Sequence, residues 1–112
     1  MSKPAVRPYA RYTTEALTLL GQLIRRERIE RKETTAHLAE RAGISRGLLQ
    51  RIEKGDPGCA IGAVFEVAAL VGIRLFDLDR QGLAANNQAV AQTLALIPSS
   101  VRPSRKAVKD DF

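Results

Sequence analysis

Arg46, Gly47, Gln50, Arg51 and Lys54 recur at steps of one, three, one and three residues, which places them together on one side of a helix. Three cations and a primary amide on one face donate hydrogen bonds and positive charge, so they suit an anionic partner. Covalent chemistry has poorer materials. Cys59 is the single cysteine and His37 the single histidine, and His37 falls on a predicted helix with no acidic side chain assigned to orient it as a base. Cys59 therefore reads as a small residue at the start of a helix, and His37 as a solvent- or phosphate-facing side chain. One cysteine and one histidine cannot supply a zinc set. No paired carboxylates, nucleophile with base, or phosphate-cradling glycine loop is found. The expectation is a binding protein without metal or cofactor, not an enzyme.

A cationic face is useful only if something holds it rigidly outward. The stretch 35–54, TAHLAERAGISRGLLQRIEK, carries Ala39, Gly43, Leu49 and Ile52 at spacings that let two short helices cross tightly. Ala39 is small where the helices approach, and Gly43 supplies the positive φ that the turn needs. Thr34 caps the first of the two helices, which runs from Thr35 to about Arg41 and buries Leu38 and Ala39. Ser45 caps the second, which reaches Lys54 before Gly55 ends it. Leu49, Ile52 and Glu53 share its inner side. The pattern is a helix-turn-helix, built to enter a DNA groove.

A longer helix should precede the motif, capped by Thr13 or Thr14 and running to about Lys32. Leu17, Leu20, Ile24 and Arg28 form its inner stripe, so an arginine sits in line with the core. Glu53 is likewise aligned with the buried side of its own helix, and a partly buried Arg28–Glu53 ion pair is the simplest solution. After the turn Asp56-Pro57-Gly58, a fourth helix near Ala60 to Val71 presents Ile61, Val64, Phe65, Ala68 and Val71, and Gly72 closes it. Leu75, Phe76 and Leu78 follow in a short fifth helix or turn that caps the core. From Gly82 to Ile97 a further helical stripe, Leu83, Val90, Leu94 and Ile97, has no core left to fill; it folds back or pairs with the same segment of a second subunit, and pairing is favoured.

The expected division is an N-terminal arm at 1–12, a helix-turn-helix domain at 13–80, and a C-terminal helix and tail at 81–112. The arm, with two prolines among basic residues, either extends toward a minor groove or has no fixed structure. The tail beyond Pro98, SSVRPSRKAVKDDF, is basic then acidic and reads as a segment that orders on a partner.

Bulk properties agree with this reading. With 112 residues and 45% hydrophobic content, one domain with a modest core is expected. The 18 Lys and Arg against 12 Asp and Glu leave a net charge of +6, which favours nucleic acid or an acidic protein. Tyr9, Tyr12, Phe65, Phe76 and Phe112 do not cluster as the stacking platforms of single-strand binders do, so duplex DNA is the better partner. A lone cysteine, and no hydrophobic run long enough for a signal peptide or membrane span, point to a cytoplasmic, nucleoid-associated protein with no membrane partner.

Across roughly Thr14 to Leu78 the chain resembles the lambda-repressor-like, or XRE, family of helix-turn-helix proteins, through LGQLIRRER, LAERAGISRGLLQRIEKG and VFEVAALVGI. The resemblance implies an all-α, five-helix domain, here with a C-terminal helical extension and a flexible tail. In that family the arginine matching Arg28 pairs with the glutamate matching Glu53. Arg46, Gly47 and Arg51 match positions that touch base edges, with Gln50 beside them. Thr35 and Ser45 match helix starts that bind phosphate, and Lys54 is read as a further backbone contact. Two departures matter. Thr35 stands where glutamine is frequent, which removes a bracing side chain. Gly47 has none, so base reading leans on Arg46, Arg51 and Gln50, and an arginine fork suits guanine O6 and N7. Phosphate binding without base choice is the competing reading for Arg46 and Arg51.

The whole-chain layout also resembles HipB-type antitoxins, which are dimers, repress their own operon and bind a HipA-type kinase toxin; in better-known members the C-terminus forms an intersubunit strand, whereas a helical pattern dominates here. The implied function is a sequence-specific dimeric repressor that binds double-stranded operator DNA, with a HipA-like kinase toxin held through the C-terminal region. A stand-alone phage-type or metabolic repressor, and a protein-interaction module that does not bind DNA, are the alternatives. Gly47 and Leu48 in the second motif helix are the features that favour the last.

Overall fold

Ile24, Leu38, Ala39, Leu49, Ile52, Val67, Ala68 and Val71 are buried in a single cluster drawn from four helices. The computed structural model describes residues 8–101 and 103, so the expectations for most of the arm and most of the tail fall outside the described residues. Among the described residues the fold is all-α: five helices and a 3-10 turn, with no strand. The helices are α1 (Arg11–Glu30), α2 (Thr35–Ala42), α3 (Arg46–Glu53), α4 (Ile61–Leu70) and α5 (Arg80–Ala95). None is long and apolar enough to cross a membrane.

α1 begins at Arg11, two residues before Thr13 and three before Thr14. Its N-cap is Ala10, with no side-chain hydrogen bond, and both Thr13 and Thr14 lie inside the helix. Pro8 is the last proline before the helix, and nothing after it stops Arg11 and Tyr12 from joining the first turn. Those two residues therefore belong to α1 and not to an extended arm. On its inner stripe Ile24 is fully buried and Leu20 packs against the core.

In α4 the buried residues are Val67 and Ala68, followed by Val71 at the C-cap, while Ile61 is 69% exposed. The expected face therefore missed Val67 and wrongly included Ile61. The cause is visible in IGAVFEVAAL: apolar side chains surround the helix and only Glu66 is charged, so hydropathy alone does not fix its rotation.

The expected cap at Leu75, Phe76 and Leu78 also differs. Residues Leu75–Asp77 form the 3-10 turn, and Phe76 and Asp77 both take positive φ, near 57° and 58°. Consecutive left-handed residues cannot continue a right-handed helix. Leu75 packs against the core, but the Phe76 ring is exposed and meets Phe65 edge-on, centroids 6.4 Å apart.

The chain divides into two compact units, Met1–Asp77 and Leu78–Phe112. In the second unit, Asp79 caps α5 by accepting a hydrogen bond from the Gly82 N–H at 2.7 Å. Leu83 is half-buried, and Val90, Leu94 and Ile97 are exposed.

Within the first unit the decisive contact is the crossing of α1 and α3. A methyl group placed on Gly21 would stand 2.6 Å from the Ile52 carbonyl oxygen and 2.7 Å from that of Glu53, so the C-terminal end of α3 rests directly on the backbone of α1. Only glycine permits that approach. About two turns further along α1, Arg28 completes the join. Its Nε donates to Glu53 Oε2 at 2.7 Å and its Nη2 to Oε1 at 3.1 Å, while Nη1 donates to the Glu33 carbonyl at 3.0 Å. The two side chains are only 12% and 7% exposed. Glu53 stands in the last turn of α3, where the helix dipole disfavours negative charge, so the guanidinium offsets both burial and dipole.

Arg28→Ala or Glu53→Ala should each cost about 3–5 kcal/mol, because each strands the partner's charge. The double variant should lose much less than the sum. Urea denaturation of all four proteins checks this, and additive losses would mean that the pair does not couple the helices.

Candidate nucleic-acid interface

Two capped helix starts and one left-handed glycine build the motif. Thr34 Oγ1 accepts a hydrogen bond from the His37 N–H at 3.0 Å, and Ser45 Oγ accepts from the Leu48 N–H at 3.0 Å. Between the helices Gly43 takes φ 71°, and the Ile44 N–H returns to the Ala39 carbonyl at 3.0 Å. This closes α2 and sends the chain into α3 without an unsatisfied turn. Leu38 and Ala39 of α2 and Leu49 and Ile52 of α3 are buried together, leaving the other side of α3 outward.

On that outer side Arg46, Gly47, Gln50, Arg51 and Lys54 are all exposed. They do not form one uniform patch. An open groove of about 770 Å³ is lined by Thr34, Thr35 and Ala36 from the start of α2 and by Ser45, Arg46, Gly47 and Gln50 from the start of α3. Both helix N-termini therefore open into the same groove, and each presents backbone N–H groups with partial positive charge. Arg46 makes no ion pair among the described residues. A methyl group at Gly47 would meet only Ser45 Oγ, at 3.9 Å, so packing does not force glycine there. Its effect is to leave the groove open to close backbone approach.

Arg51 and Lys54 do not line this groove. Arg51 is instead tied to Asp56, which sequence reasoning left in a plain turn: Nε lies 2.8 Å from Oδ2, while Oδ1 accepts from the Gly58 N–H at 2.7 Å. The guanidinium of Arg51, and then the Gly58 N–H, hold the Asp56 carboxyl below the usual carboxylate range. The sequence signal was a carboxylate five residues after an arginine, across the helix-ending Gly55.

Glu33 is the second residue that sequence reasoning missed. Its side chain, only 7% exposed, receives Arg41 Nη1 at 2.9 and 2.8 Å, and His37 Nδ1 lies 2.8 Å from Oε2. His37 thus has a carboxylate neighbour after all, although its own side chain is 62% exposed. Arg41 holds the Glu33 carboxyl below its ordinary range, against the opposing effect of burial. Because the Glu33 carbonyl also binds Arg28, this one residue links the α1–α3 join to α2. Cys59 packs against the core, and burial pushes its thiol up, which keeps it protonated at neutral pH.

A carboxylate whose pKa is lowered by folding stabilises the fold above its ordinary range, and that stabilisation is lost as pH falls through the lowered value. Glu33→Gln should therefore reduce stability at neutral pH and flatten the acid limb of the wild-type curve below the ordinary carboxylate range. Melting temperature recorded across that range checks it; parallel curves for the two proteins would remove Glu33 from the account.

No model of a known protein family matches the chain, and no curated protein matches it.

Proposed function

We propose that the chain is a sequence-specific duplex-DNA-binding repressor that acts as a dimer. The single observation that carries the reading is the groove shared by the starts of α2 and α3 with Arg46 and Gln50 on its edge. Converging helix N-termini suit a phosphate, and an adjacent arginine that makes no ion pair among the described residues suits a base edge, so one surface offers both positioning and readout. Thr35 and Ser45 take the phosphate contacts. Arg46 reads a guanine, with Gln50 beside it and Gly47 allowing close approach. Arg51, held by Asp56, contributes from the far end of α3, and Lys54 contacts the backbone.

Two copies present two α3 helices to major grooves about 34 Å apart on a near-palindromic operator. Val90 and Leu94 of α5, with Ile97 just beyond it, supply an exposed apolar row for pairing. The resemblance to XRE proteins supports the DNA-binding role. The resemblance of the layout to HipB-type antitoxins extends it to autoregulation and a HipA-like kinase toxin held through the C-terminal region.

Sites selected from a random duplex library by the wild type and by Arg46→Ala test the proposal. The wild type should enrich an inverted repeat with a guanine in each half-site. Arg46→Ala should lose discrimination at that position by about 1–3 kcal/mol, and Lys54→Ala should weaken binding to all sequences and flatten its salt dependence. An unchanged preference in Arg46→Ala would remove its base-reading role, and no enrichment at all would favour an interaction module that does not bind DNA.

A further inference from the structure

The side of α1 turned away from the core carries Tyr12, Glu15, Leu19, Gln22, Arg26 and Ile29, at steps of 3, 4, 3, 4 and 3 residues. That is the spacing of a two-helix seam, and over about 25 Å all six residues are exposed. Tyr12, Leu19 and Ile29 are 86%, 56% and 51% exposed. Two shallow hollows of about 410 and 450 Å³ lie on this side of α1, one on each side of Gln22, which lines both.

The order of the side chains along the seam is what identifies the occupant. Reversing α1 about a point midway between Leu20 and Gly21 sets Tyr12 opposite Ile29, Glu15 opposite Arg26 and Leu19 opposite Gln22. The same operation sets Arg11 opposite Glu30, and no charged position of α1 falls opposite a like charge. It also sets each hollow of one copy opposite the other hollow of its partner, so the two shallow surfaces face each other across the pair. Arg26 touches Glu27 at 3.1 Å, but that contact is between exposed neighbours and holds it weakly.

We propose that the outward face of α1 is a two-fold contact with a second copy of this chain, formed as an antiparallel helix pair. Apolar ends and complementary charges make the face self-recognising, and the polar middle keeps the association reversible. This surface is distinct from the groove at α2 and α3 and does not depend on DNA binding.

Sedimentation equilibrium of the full chain without DNA, at low salt, tests it. Glu15→Arg and Arg26→Glu each replace two attractions per pair by two repulsions, and each should weaken association by at least about tenfold. Combining them restores opposite charges at both contacts and should recover the wild-type constant, which also separates lost contact from lost folding. If copies also join through α5, the wild type assembles beyond dimers and the single variants stop at dimers; otherwise the single variants stop at monomers. A monomeric wild type, single variants that associate as the wild type does, or a double variant as weak as the singles each overturns the proposal.

Discussion

The orientation of α3 depends on its contact with α1. Backbone meets backbone at Gly21, and about two turns further along α1 the Arg28–Glu53 pair locks the rotation of the two helices. A guanidinium fork on a carboxylate has directional bonds, unlike an apolar contact, so it specifies register as well as proximity. The third donor of Arg28 reaches the Glu33 carbonyl, and the Glu33 carboxylate reaches Arg41. α1, α3 and α2 are thus tied through two acidic residues. An eight-residue helix such as α3 is too short to be stable alone, and this frame lets it present an exposed face.

The frame leaves unequal roles for the outward side chains. Arg46 stands beside the two helix starts and makes no ion pair among the described residues, whereas Arg51 is held by Asp56 at the other end. A fixed arginine loses less freedom when it binds, but it must share its charge. In the proposed complex the first favours readout and the second favours fixed positioning along the backbone.

Much of this was legible before any coordinates. The all-α class, the caps at Thr34 and Ser45, the left-handed Gly43 and the inner sides of α2 and α3 follow from short-range rules that act within one turn. The alignment of Arg28 and Glu53 with inner stripes was equally visible, because a charge on an apolar face stands out. Other features depend on contacts between distant segments. Gly21 looks like any helical glycine until α3 lies across it. Glu33 and Asp56 sit in loops whose paths bring them to Arg41 and Arg51, and no periodicity carries that information. The extent of α4 was legible but its buried face only in part, for the opposite reason, since a helix apolar on nearly every side has no distinctive stripe to read. At the candidate site, Thr35, Ser45, Arg46, Gly47 and Gln50 converge on one groove, while Arg51 and Lys54 lie beyond it.

The central claim is that a frame set by α1 offers the starts of α2 and α3 as one surface to duplex DNA. Backbone amide shifts followed by nuclear magnetic resonance during titration with a selected duplex test it most directly. The account predicts that changes concentrate at residues 34–36 and 45–50, with α4 and the outward side of α1 little altered, and that they fade as salt rises. Changes centred elsewhere, or no changes at low salt, would contradict it.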